Sequence, residues 1–173
     1  MGVRRATVDD AEAIERIRVE TWHATYRGML PDGLLDQLRR NVARRRERLS
    51  SPPASELNFV AEEVAEVVGF AVAGPERAHD PEYSGEVYAI YVLPAAQGKG
   101  HGRALVRECA RELLARGITS LLIWVLRENQ IGRGFYERLG GTAVREKPLE
   151  EFPGAEEHVE IGYGWKDTRS LLV

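Results

Sequence analysis

Between Gly85 and Val125 the chain alternates two almost wholly β-forming apolar runs with a glycine-rich loop and an amphipathic helix, an order that leaves few folds open. The first run, Glu86 to Leu93, is bounded by Gly85 and Pro94 and reads as a buried central strand. From Gly102 a helical pattern takes over. Leu105, Val106, Cys109, Ala110, Leu113 and Leu114 share one stripe, and Gly117 stands where a helix C-terminal glycine belongs. Leu121-Leu122-Ile123-Trp124-Val125 is a second buried strand. Strand, helix and strand in this order form a right-handed crossover with parallel strands, a unit whose ligands lie at the carboxyl ends of its strands. A site is therefore expected near Val92 and Val125.

The flanking segments extend this unit. Val3 to Ala6 is a short extended start, and Thr7-x-x-Asp10 caps a first helix with Ile14, Ile17, Thr21 and Ala24 at helical spacing. Gly28 ends it, and Pro31-Asp32 opens a second helix through Leu34, Leu35 and Leu38. The basic run from Arg39 to Arg48, interrupted by Glu47, reads chiefly as a solvated helix surface, with a phosphate or an acidic partner as the alternative. Asn58 to Glu62 and Val67 to Ala73 form an antiparallel hairpin. A last helix covers Gln130 to Leu139 with Ile131, Phe135 and Leu139 as its buried stripe, followed by strands at Thr142 to Glu146 and His158 to Gly164. With no repeat and no linker, 173 residues suit one α/β domain spanning 1–173.

Composition removes several classes of function. The 24 basic and 27 acidic residues leave a net charge of −3, without the basic footprint of a nucleic-acid binder. Cys109 is the single cysteine, which excludes an intramolecular disulfide and multi-cysteine metal sites and suits a reducing cytosol. His23, His79, His101 and His158 include no pair at i, i+4, so no local metal motif exists. Apolar runs such as Leu121 to Leu126 fall far short of the about 20 residues that span a bilayer, and the start of the chain has no secretory pattern. A cytoplasmic location without membrane association is the expectation.

The loop Gln97-Gly98-Lys99-Gly100-His101-Gly102 carries the chemistry. Its glycines permit left-handed or close-approach backbone, and free N–H groups at a helix start make an anion site. It is not a P-loop, because Gly100 rather than Ser or Thr follows Lys99, and its third glycine comes one residue too early for a dinucleotide fingerprint. The stretch resembles the pyrophosphate loop of the GNAT superfamily of acyl-CoA-dependent N-acetyltransferases, Gln/Arg-x-x-Gly-x-Gly/Ala. Asn129 followed by Phe135-Tyr136-Glu137-Arg138-Leu139-Gly140 resembles that family's second motif. The firm resemblance runs from Glu86 to Gly141. Gly141 departs from it, standing where the family usually has an aromatic residue, and Gly134 puts a second glycine beside Gly132 in a short helix.

The resemblance implies a GNAT-like fold with a mixed, mostly antiparallel sheet of about seven strands flanked by about four helices and split open where the cofactor inserts. It implies acetyl-CoA as acyl donor, no metal, and direct transfer to a primary amine of a small molecule or peptide. The backbone at Ile90, Tyr91 and Val92 would pair with the pantetheine arm and polarise the thioester carbonyl. Gln97, Gly98, Lys99, Gly100, His101, Gly102 and Arg103 would form the pyrophosphate loop, and Asn129 would contact the pantetheine or adenosine-side arm. Tyr136 would protonate the departing thiolate as general acid; its alternative is a tyrosine capping the core beside Phe135. Gly132, four residues earlier on the same helix face, would leave room for a thin ligand.

Glu86, eleven residues before Gln97, matches the place of a catalytic glutamate in some members, so Glu86 or water is the expected base; its alternative is an ordinary polar residue at a strand start. The acceptor groove would lie around Trp22, Tyr26 and Glu150 to His158. There Glu150, Glu151, Glu156, Glu157 and Glu160 supply negative charge that either attracts a cationic amine or simply forms a solvated loop. Homodimers are common in the family, but no residue here demonstrates one. The rival function is a non-catalytic acyl-CoA-binding regulatory module; a nucleotide-binding oxidoreductase is opposed by the glycine spacing.

Overall fold

The computed structural model describes residues 2–150, 152, 154, 155 and 157–173. The chain begins with β1 (Gly2–Arg5), α1 (Ala11–Tyr26), α2 (Asp32–Asp36) and α3 (Val42–Ser50). The hairpin β2 (Leu57–Glu63) and β3 (Glu66–Pro75) follows, then β4 (Gly85–Val92), α4 (His101–Ala115) and β5 (Leu121–Leu126). The chain continues through α5 (Gln130–Arg138), β6 (Thr142–Pro148) and β7 (Val159–Trp165). One seven-stranded sheet has the order β1-β2-β3-β4-β5-β7-β6. Its pairings are antiparallel except that between β4 and β5, the two ends of the expected crossover.

The helices cover both faces. On one, Leu105, Cys109 and Leu113 of α4 pack with Phe59, Ile123, Tyr136 and Tyr163. On the other, Ile14 and Ile17 of α1 pack on Val60, Phe70 and Val72. Each such side chain removed from water contributes roughly 1.5–3 kcal/mol. Cys109 lies wholly inside, and burial pushes its thiol up to about 12, as befits a core residue rather than a nucleophile.

Three local expectations change. The described residues contain five α-helices rather than about four, because the basic run forms its own helix, α3, capped by Asn41 accepting from the Arg44 amide at 3.1 Å. Arg45 in that run turns inward. It donates to Glu15, a buried carboxylate that also accepts from Arg18 and the Asn41 amide, so one supposed surface arginine ties α3 to α1. The inward stripe of α5 is Phe135, Tyr136 and Leu139, whereas Ile131 is 76% exposed.

Candidate active site

The site is a fork in the sheet. β4 and β5 pair only through Gly85 with Leu121, Glu86 with Leu122 and Val87 with Ile123. Beyond these pairs β4 stays on β3 as far as Val92 opposite Gly69, while β5 stays on β7 as far as Leu126 opposite Glu160. The two strands therefore diverge, each holding one neighbour and losing the other. A bulge starts the divergence: Ala73 pairs with Val87 and Val72 with Ala89, leaving Tyr88 as the extra residue. An extra residue bends and twists its strand, which turns the rest of β4 out of line with β5. Ile90, Tyr91 and Val92 thus lie on a backbone edge that β5 no longer covers.

The glycine loop stands at the end of this edge. Gln97 Nε2 donates to the Val92 carbonyl at 3.0 Å and so fastens the loop to the strand. Gly98 and Gly100 have φ of +74° and +92°, a region that disfavours any side chain, and α4 begins at His101. The first N–H groups of this fifteen-residue helix have no carbonyl within it to bond. Lys99 Nζ reaches Glu63 at 3.1 and 3.2 Å, and Arg103 Nη2 donates to the Val173 carbonyl at 2.9 Å. The buried His101 ring lies with Nε2 3.5 Å from Glu63, and its Nδ1 finds no partner among the described residues. A side chain at Gly102 would meet Phe135 Cζ at 3.1 Å, so α5 packs directly beneath the loop.

α5 brings Tyr136 to the fork. Asn129 caps it, accepting from the Gly132 amide at 2.9 Å. A Cβ at Gly132 would lie 2.8 Å from Asn129 Nδ2 and 3.0 Å from Val125 Cγ2, so this glycine serves the cap and the strand beneath it rather than leaving open room. Gly141 is explained in the same way: the Trp165 indole occupies the space a side chain would need, and its Nε1 donates to the Leu139 carbonyl at 2.9 Å.

Tyr136 is 6% exposed and packs on Phe135, Tyr163 and Trp165. Burial, with a smaller effect from Tyr91, pushes its phenol well above the usual tyrosine range. Tyr26 is raised likewise, by burial first and then by Tyr91, Tyr136 and Glu160. Tyr26 of α1 and Tyr91 of β4 both belong to the clusters on the face opposite α5.

Glu86 belongs to the paired half of β4, is 2% exposed, and accepts from the Arg77 amide, Nε and Nη2 at 3.2, 3.1 and 2.6 Å. Its carboxylate forms an ion pair with Arg77 that anchors the β3–β4 connection.

Trp22 and Tyr26, expected on the acceptor side, lie together. Trp22 stacks edge-on with Tyr26 at 4.9 Å and with Phe152 at 5.0 Å, in a cluster with Leu35, Leu126, Leu149 and Ala155. Glu150 and Glu157 are exposed, and Glu151 and Glu156 lie outside the described residues. Among the described residues no group of three or more His, Cys, Asp or Glu could hold a metal ion, and no helix is long and apolar enough to cross a membrane.

Residues 15–141 match the model of the acetyltransferase (GNAT) family. The chain belongs to the GNAT acetyltransferases. It is 33% identical over 169 residues to the uncharacterized N-acetyltransferase YuaI of Bacillus subtilis, covering 98% of this chain and 95% of that protein. The mycothiol acetyltransferase of Amycolatopsis mediterranei is 40% identical over 91 residues, a match that spans 49% of this chain but only 29% of that protein. Two GNAT-like solved structures share the fold. The yncA protein of Salmonella typhimurium, solved with its cofactor acetyl-CoA, has a TM-score of 0.74 and 24% identity over 95% of this chain and 92% of its own. The PaiA N-acetyltransferase of Thermoplasma acidophilum, in complex with coenzyme A, has a TM-score of 0.72 and 20% identity over 94% and 96%.

Within this GNAT frame, two features escaped the sequence reading: the bulge at Tyr88 and the grouping of Trp124, Lys147 and Glu160 beside the groove. The period-two pattern of β7 carries a signal for the second, since Glu160 shares its face with Gly162 and Gly164 alone.

Proposed function

We propose that this chain transfers an acetyl group from acetyl-CoA to a primary amine of a small molecule or peptide, in the cytoplasm. One observation carries the reading: β4 and β5 part beyond Val87 and Ile123, and the glycine loop begins where the free edge of β4 ends. Bound acetyl-CoA supplies the activated acetyl thioester. The uncovered edge at Ile90, Tyr91 and Val92 receives the pantetheine arm and directs fixed N–H donors at the thioester carbonyl, where negative charge develops. Gly98 to Arg103 hold the diphosphate through backbone N–H groups, with Lys99 and Arg103 as nearby cations. The orphaned Nδ1 of His101 fits a polar ligand at that helix start. Asn129 acts by fixing α5, and with it Tyr136.

Burial keeps the Tyr136 proton in place at neutral pH, so that Oη can deliver it to the departing sulfur. The acceptor enters from the face of Trp22 and Tyr26. Its ammonium must first lose a proton, and with Glu86 bound to Arg77, water takes it.

Free-thiol release from acetyl-CoA, measured with pooled polyamines, aminoglycosides, amino acids and N-terminal peptides, tests this reading. Amine-dependent release that falls at least about ten-fold in Tyr136→Phe is the expected result. Tight binding of acetyl-CoA with no release on any amine would replace it by a non-catalytic acyl-CoA-binding module.

A further inference from the structure

Side chains alternate along β7. Ile161, Tyr163 and Trp165 enter the core beneath α4 and α5, which leaves Glu160, Gly162 and Gly164 on the opposite face. Glu160 is the one charged position of that row. In the sheet it stands opposite Leu126 of β5 and Lys147 of β6, and Leu126 belongs to the cluster of Trp22, Leu35 and Phe152. The carboxylate is 19% exposed and 3.5 Å from Lys147 Nζ. The same ammonium sits 4.3 Å from the centre of the Trp124 ring. Trp124 is the first residue of β5 beyond its last pair with β4, so this group of three borders the fork. Tyr26 feels the charge of Glu160, which places the carboxylate toward the groove rather than behind the sheet.

We propose that Glu160 and the face of Trp124 form the recognition site for the acceptor's primary ammonium, and that Lys147 occupies this site until an acceptor displaces it. The inference rests on the reading of the aromatic groove as the acceptor side. A carboxylate beside an indole face offers a primary ammonium both a charged hydrogen bond and a cation–π contact. Lys147 makes both contacts here, which shows that the site accepts an ammonium. Its grip is loose, because 3.5 Å is long against the about 2.7–2.9 Å of a charged N–H···O bond, and its side chain is more than a third exposed. Glu160 is a positioning residue here: it orients the acceptor through the charge and hydrogen bond of its carboxylate.

The test is calorimetric titration of the full chain, without acetyl-CoA, with phenethylamine and with its uncharged counterpart phenethyl alcohol. The expected result is tighter binding of the amine, a loss of at least about ten-fold for the amine alone in Glu160→Gln, and a gain of about three-fold or more in Lys147→Met. Lys147→Met leaves Glu160 in place, so its gain reads the site even if Glu160→Gln folds poorly. A merely structural Glu160 would shift both probes together. That outcome, amine affinity within two-fold of wild type in Glu160→Gln, or no binding of either probe would overturn the inference. Charge-selective binding without acetyl transfer would keep the ammonium site and remove the proposed reaction. Acetyl transfer with the amine KM unchanged in Glu160→Gln would do the reverse.

Discussion

Two ion pairs flank β4, Arg77 with Glu86 near its start and Lys99 with Glu63 just past its end, and they have opposite meanings. Their cations are equally exposed, at 52% and 51%, but the Glu86 carboxylate is 3% exposed and that of Glu63 is 34%. A covered carboxylate must keep its partner, since removing one member of a buried pair leaves an uncompensated charge. An open pair gains little over its hydration and exchanges readily for another ion. The difference follows from the strand. Glu86 lies where β4 is paired on both sides, whereas Lys99 and Glu63 lie past its end, beyond the backbone edge that β5 leaves uncovered after Tyr88.

The largest expected effect lies on the open side. Tyr136→Phe should lower the rate of amine-dependent thiol release by at least about ten-fold. Stability should move by less than about 1 kcal/mol, because the ring retains its contacts with Phe135, Tyr163 and Trp165. The pH profile sharpens the assignment. A pKa raised by burial means the phenol stays protonated below that raised value. The rate should therefore climb with pH as the acceptor ammonium deprotonates, with no fall near 10 where an ordinary tyrosine ionises. A descending limb near pH 8 in the wild type would point to a different acid.

Glu86→Gln tests the committed side and reverses the pattern. Loss of the carboxylate facing Arg77 should cost about 1–3 kcal/mol of folding stability in urea melts, with kcat/KM kept within about three-fold. A 100-fold loss of kcat/KM in a variant as stable as wild type would make Glu86 the base and break the comparison. Gly100→Ala comes next. At φ of +92° a Cβ should cost about 1–2 kcal/mol, accompanied by weaker acetyl-CoA binding in titrations.

The donor side was legible in the sequence because its constraints are local. The positive φ of Gly98 and Gly100 favours glycine, and Gln97 to Gly102, together with Phe135 to Gly140, are short contiguous signatures. The acceptor side was legible only in part. Trp22, Tyr26 and Glu160 can be placed on that side from the sequence, but the contact of Lys147 with Glu160 and Trp124 joins three strands whose pairing no local pattern fixes. The ion pair of Glu86 is hidden from the sequence for the same reason: its partner Arg77 lies nine residues earlier, in a loop without periodicity, and strand spacing says nothing about where pairing stops. On α5, Phe135 and Leu139 face inward as their spacing predicts, but Ile131, though apolar, faces solvent in the first turn, and Tyr136 takes the buried place.

The smallest effect on the fold is expected at Lys99, and it distinguishes the two pairs most sharply. Lys99→Met removes the cation from an exposed pair with Glu63, whose carboxyl is held below its usual range chiefly by the hydrogen bond from Lys99. The melting temperature should stay within about 1 °C, since exposed pairs contribute little. Acetyl-CoA binding should weaken by about three- to ten-fold at low salt, because the cation stands beside backbone N–H groups that suit a diphosphate. The deficit should shrink as salt is raised toward about 0.5 M, where screening reduces what the cation contributes in wild type as well. If Lys99→Met instead destabilises the chain as much as Glu86→Gln, the pair is structural despite its exposure, and burial of the carboxylate is not what separates the two ends of β4.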